Sequence, residues 1–148
     1  MLNYLNDIYT LEQNRNILQY IHDEHVTILC SNPVWTCTII GQLHIKNINI
    51  VCHKHMIFPK HFLHGMVLLE IVTFNIPNIT KIEHGCLSSC LRLKEVYIYN
   101  ITKLPTIHYG FLKTSPVNTY NISFNKTSST DRNINIEGVH NVQKFVNI

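Results

Sequence analysis

One spacing constrains this chain more than any other feature. The pattern apolar-x-x-apolar-x-apolar occurs at Ile45, Ile48 and Ile50, again at Leu69, Val72 and Phe74, again at Leu93, Val96 and Ile98, and in weaker form at Val117, Tyr120 and Ile122. Each start lies 24 residues after the one before. A second sub-motif keeps step with the first. Ile82-Glu-His-Gly85-Cys86 is echoed by Ile107-His-Tyr-Gly110-Phe111, and Phe58-Pro-Lys-His-Phe62 matches more loosely. The apolar anchors Phe62, Cys86 and Phe111 precede the next motif start by seven, seven and six residues. Two sub-motifs in register at one period are the signature of a repeat architecture.

The apolar-x-apolar end of each motif predicts a short strand whose alternate residues face inward. A 24-residue unit is too short for two packed helices. It accommodates one strand, a turn and an irregular return. Such a unit cannot bury its apolar side alone, so successive units must stack and share one core. Each Ile, Leu, Val or Phe so buried contributes about 1.5–3 kcal/mol. A chain of 148 residues with 45% apolar content suits one continuous core without disulfide or metal staples.

Leu69-x-x-Val72-x-Phe74 resembles the leucine-rich-repeat consensus. More specifically, Cys90-x-x-Leu93-x-x-Val96-x-Ile98, followed by Leu104, Ile107, Gly110 and Phe111, is similar to the BspA-like (Treponema-type, cysteine-containing) repeats. That family places a Cys three residues before the strand Leu and a Gly/Ala-Phe pair in the return. The resemblance covers residues 43–124. Met66 and Ser115 stand where neighbouring units would have the Cys, and Cys86 where they would have the Phe. It implies an α/β repeat solenoid, a short leucine-rich-repeat stack with parallel strands on one face. It also implies a non-catalytic interaction surface and, since similar repeats occur in AT-rich protist and large DNA virus genomes, a virus- or protist-encoded protein.

Around about four such repeats, two flanking segments are expected. Leu5, Ile8, Leu11, Leu18 and Ile21 sit at mostly helical spacing, so residues 1–42 read as a helical and irregular N-terminal cap. Within it, Val26–Cys30 and Thr36–Ile40 are candidate strands. Residues 125–148 read as a polar loop followed by a decayed fifth unit, in which Ile136-Glu-Gly138-Val139 resembles the return motif and Phe145-x-x-Ile148 begins a strand.

Charge and cysteine usage exclude several function classes. The formal charge of +3 comes from scattered Lys and Arg with no stripe, which argues against nucleic-acid binding. No basic-then-apolar leader precedes Asp7, and no apolar run approaches the roughly 18 residues that span a bilayer. Five Cys without framework spacing fit thiols in a reducing compartment. The expected location is therefore the cytoplasm, including that of a host, without membrane association. The four sequons beginning at Asn78, Asn100, Asn121 and Asn125 follow from an Asn-rich composition.

Catalysis is not expected. His84-Gly85-Cys86 places a thiol next to an imidazole in sequence only, nine acidic residues leave few carboxylate pairs, and no phosphate-cradling Gly loop appears. Cys52, His53, His55, His61 and His64 form the densest set of metal-ligand types, but the spacing matches no zinc motif. No cofactor is expected. If the motif apolars point inward, three outward columns result: Asn47, Ile71, Glu95 and Thr119; Asn49, Thr73, Tyr97 and Asn121; Val51, Asn75, Tyr99 and Ser123. The expected contact residues for a protein partner are Asn49, Ile71, Thr73, Asn75, Glu95, Tyr97 and Tyr99. Exposed Tyr adds contact area at low entropy cost, although aromatic residues also favour strands for packing alone. Two other readings stay open: an adaptor whose N-terminal helices dock to a ubiquitin ligase while the repeats recruit a target, and a metal-binding protein using the Cys52–His64 cluster.

Overall fold

A computed structural model describes residues 8–11, 24–30, 45–53, 56–58, 60–108, 110–125, 134–138 and 142. The apolar-x-apolar motifs become strands for the reason the alternation predicts. β3 (Asn47–Cys52) and β5 (Ile71–Asn75) bury every second residue, as do β7 (Glu95–Ile101) through Tyr99 and β9 (Thr119–Phe124) through Ser123. Ile48, Val72, Val96 and Tyr120 lie side by side in one row, and Ile50, Phe74, Ile98 and Ile122 in the next. Both rows are buried. With β1 (Ile8–Leu11), β2 (His25–Cys30) and β10 (Ile134–Glu137) these strands form one sheet in the order β1-β2-β3-β5-β7-β9-β10.

The return segments carry strands of their own. β4 (Met56–Phe58), β6 (Ile79–Ile82) and β8 (Thr106–Ile107) form a second parallel sheet. Between the two sheets the corner turns are also bonded from coil to coil. Leu63 N donates to Cys86 O at 2.7 Å and Leu87 N to Phe111 O at 2.8 Å, with flanking bonds from His61 to His84 and from Gly85 to Gly110. Backbone groups that a loop would leave to water are thus paired with the neighbouring coil. Phe58, Phe62, Phe74 and Phe111 fill the interior with the Ile, Leu and Val of both sheets. The Phe58 ring lies 5.2 Å from that of Phe62 and 4.6 Å from that of Phe74.

The molecule is therefore a β-solenoid of about three turns, which corrects the expected α/β solenoid with a helical cap. All ten elements found among the described residues are strands. Ile8 and Leu11, assigned to a helix by spacing, lie on β1, parallel to β2, with Ile8 opposite Thr27 and Leu11 opposite Cys30. The physical reason is local: Ile8-Tyr-Thr-Leu11 is rich in β-branched and aromatic residues and meets the edge of β2, where pairing outweighs a weak helical period. The expected strand at Val26–Cys30 is β2; Leu5, Leu18, Ile21 and Thr36–Ile40 lie outside the described residues. At the other end, Ile136 belongs to β10, which runs antiparallel to β9 and so does not repeat the geometry of the return strands. Val139, Phe145 and Ile148 lie outside the described residues.

One irregularity explains the uneven anchor spacing. Between β7 and β9 the register shifts after Ile98, so that Ile101 rather than Asn100 faces Phe124. β7 carries one extra residue, a β-bulge, and Asn100 takes φ 61° there. The return strand after it pairs 25 residues on, Ile82 with Ile107, where Phe58 pairs with Ile82 after 24. The corner before Val117 is one residue shorter than that before Leu93, and β9 regains the common register.

Candidate binding face and histidine column

The strand face is built as the alternation predicts. Register pairs Asn47 with Ile71, Ile71 with Glu95 and Glu95 with Thr119 in one row, and Asn49, Thr73, Tyr97 and Asn121 in the next. In the third row Val51, Asn75 and Tyr99 align, whereas the bulge ends the pairing before Ser123. All seven expected contact residues therefore share one face, half-buried or exposed. Tyr97 and Tyr99 lie together, ring centroids 5.4 Å apart and planes tilted by 38°. The Tyr97 hydroxyl donates to the Glu95 carboxylate. That bond, with smaller contributions from burial and from the Glu95 and Tyr99 charges, pushes the phenol up to about 12. Burial first and Glu95 second raise Tyr99 as well. Both tyrosines stay protonated donors across the neutral range.

At the start of the face strands runs a charge column. Lys46 Nζ lies 3.4 Å from a Glu24 carboxylate oxygen, and Lys94 Nζ 3.6 Å from one of Glu70. The backbone carbonyls of Glu24, Lys46, Glu70 and Lys94 each accept two N–H bonds from the following coil. These exposed pairs stabilise little individually and mainly balance charge along the corner.

Sequence reasoning missed what stands at the other end of the same turns, just after the return strands. His61, His84 and His108 come from three successive coils and stack edge to face, with centroids 5.4 Å and 4.9 Å apart. Room for them is made by glycine. A Cβ on Gly85 would stand 2.4 Å from His61 Nδ1, and one on Gly110 would stand 2.4 Å from His84 Nδ1. Gly110 N donates to His108 Nδ1 at 3.0 Å, so that ring carries its proton on Nε2 when neutral. His84 Nδ1 is enclosed and makes no hydrogen bond. Desolvation first, then His108, His61, Lys113 and Lys60, holds the His84 imidazole below its ordinary value. His64, beside His61, bonds to Ser88 Oγ at 2.7 Å. The histidines at 61, 84 and 108 are 23 and 24 apart and occupy non-equivalent positions in their coils, so the repeat period does not reveal them.

Of the metal-ligand types noted in sequence, Cys52 points into the core, His53 is exposed at the end of β3, and His61 and His64 sit on the corner turn. His55 lies outside the described residues. Among the described residues no three His, Cys, Asp or Glu side chains are grouped to hold a metal ion. Cys52, Cys86 and Cys90 are buried thiols. Burial pushes Cys86 well up and Cys90 up to about 11, which makes both poor nucleophiles. Cys90 Sγ instead donates to Leu63 O of the preceding coil at 3.2 Å, and Ser115 Oγ does the same to Leu87 O at 2.6 Å. The Ser in place of a Cys is thus a like-for-like donor.

Among the described residues no helix is long and apolar enough to cross a membrane. No protein-family model matches the chain, and neither a curated protein nor a solved structure does.

Proposed function

We propose that this chain is a non-catalytic interaction module that holds a protein partner against its strand face, with Asn49, Ile71, Thr73, Asn75, Glu95, Tyr97 and Tyr99 as contacts. The observation that carries the reading is the Tyr97–Tyr99 pair, two large amphipathic rings held together on a register-locked sheet. A flat face set by coil-to-coil bonding loses little entropy on docking, which is what lets such surfaces bind. The Cys90-to-Ile98 spacing supports kinship with the BspA-like repeats, in a form whose return segment is a strand. The described thiols Cys52, Cys86 and Cys90, buried and outside any disulfide, suit a cytoplasmic setting.

The test is affinity capture from the native cellular context with three versions of the chain. A partner retained by wild type and by Lys103→Ala, but lost by Tyr97→Ala/Tyr99→Ala, supports the face, provided circular dichroism shows all three equally folded. A partner kept by the double tyrosine variant overturns it.

A further inference from the structure

We propose that Glu95, Tyr97 and Tyr99 together form a seat for a cationic side chain, so that the partner is a basic polypeptide presenting an arginine or lysine. This inference rests on the strand-face reading and names the chemistry of what docks there.

The argument begins with charge placement. The chain as a whole carries +3, yet no Lys or Arg occupies an outward position on β2, β3, β5, β7, β9 or β10. The formal charges at those positions are Glu95 and Glu137, with histidine neutral. Lys46 and Lys94, which precede β3 and β7 directly, belong to the corner column, each against a glutamate. Among the described residues of the face strands a cation arriving at the centre therefore meets no Lys or Arg, whereas an acidic or phosphorylated segment meets Glu95 directly.

Geometry supplies the rest. Two aromatic rings 5.4 Å apart offer adjacent negative π-surfaces, and a cation within about 6 Å of a ring centroid is attracted by them. The carboxylate is pinned beside the rings by the Tyr97 hydroxyl. A carboxylate has about four acceptor positions, so one bond from a phenol leaves it able to take a guanidinium or ammonium as well. Thr73 and Asn121, the neighbours of Tyr97 on either side, add only neutral polar groups.

The test is a titration of the isotope-labelled full chain, followed by NMR, with three extended pentapeptides: Thr-Arg-Thr-Arg-Thr, its citrulline counterpart and its glutamate counterpart. The arginine peptide is expected to perturb Tyr97, Tyr99 and Thr73 with an affinity roughly tenfold above either counterpart. Glu95→Gln, which can still accept the Tyr97 hydrogen bond, is expected to remove most of that preference, while Tyr99→Phe retains it. If the citrulline or glutamate peptide perturbs the same residues as strongly as the arginine peptide, the cation seat is overturned and the binding face stands. If no peptide perturbs the face at millimolar concentration, or Glu95→Gln leaves the arginine preference unchanged, the seat is likewise overturned.

Discussion

Gly110→Ala gives a direct reading of the histidine column. A Cβ at this position would lie 2.4 Å from Nδ1 and 2.7 Å from Cε1 of His84, roughly 1 Å inside van der Waals contact. The obstacle is a side chain, so the His84 ring swings out and gives up its contacts with His61 and His108. Ring pairs of this kind contribute about 0.5–1.5 kcal/mol each, and the alanine returns about 0.4–1 kcal/mol by restricting the unfolded chain. The net loss is about 1–2 kcal/mol, or a fall in Tm of roughly 2–8 °C for a chain of this size. Gly85→Ala meets His61 at the same 2.4 Å but also has φ 71°, where a Cβ adds about 1–2 kcal/mol of backbone strain. Urea unfolding of both variants should therefore rank Gly85→Ala below Gly110→Ala. The decisive comparison is His84→Ala/Gly110→Ala. With the ring gone, the methyl fills its space, and the double variant should be more stable than the sum of the single losses predicts by about 1 kcal/mol or more. Strict additivity would refute the stacked column.

Three further outcomes follow from the core, the corner and the imidazoles. Val96, fully buried between Val72 and Tyr120, cannot accept a charge, so Val96→Asp should abolish the cooperative thermal transition that its outward neighbour Glu95→Gln preserves. Ser115 is buried, donates to Leu87 O and accepts from Cys90 N at 3.1 Å; Ser115→Ala should cost about 1–3 kcal/mol in urea unfolding, and Ser115→Cys should recover most of it. Because the folded His84 imidazole sits below its ordinary value of 6.5, the unfolded chain takes up the proton first. Its contribution to stability is whole above about pH 6.5 and shrinks as pH drops from there toward the folded value, so the urea midpoint should fall between about pH 7.5 and 5.5, less steeply in His84→Asn.

The face strands were legible because two periods coincide in them. Alternation told which of Ile48, Ile50, Val72 and Phe74 face inward, and the 24-residue repeat told which of them touch. The return strands were not legible. Met56–Phe58 and Thr106–Ile107 are too short to show alternation, and their pairing depends on the neighbouring coil rather than on local sequence. β2 escaped the repeat because Val26 pairs with Ile48, 22 residues on, outside the common period. The N-terminal correction has the same root: two residues of β1, Ile8 and Leu11, fit a helical spacing by accident, and only an adjacent edge tells strand from helix. The columns of the candidate face could be written from sequence, but the contact between Tyr97 and Glu95 could not, since alternation gives the side of the sheet and not the rotamer. A signal for the bulge was present in the anchor spacing of seven, seven and six, where the odd value marks the coil containing Asn100.

That bulge has a consequence for how such a chain can change length. In a flat sheet a one-residue slip turns every later side chain to the wrong side. Here the surplus introduced at Asn100 is carried through β8 and the corner turn, then surrendered before Val117, so the error lives within a single circuit. The two sheets keep independent tallies and need agree only when the chain comes back to the strand face. Inserted residues are tolerable wherever a deletion on the same lap restores the tally, which leaves the ends of the face strands and the corners, rather than the paired middle of the face, as the places where new sequence can be admitted.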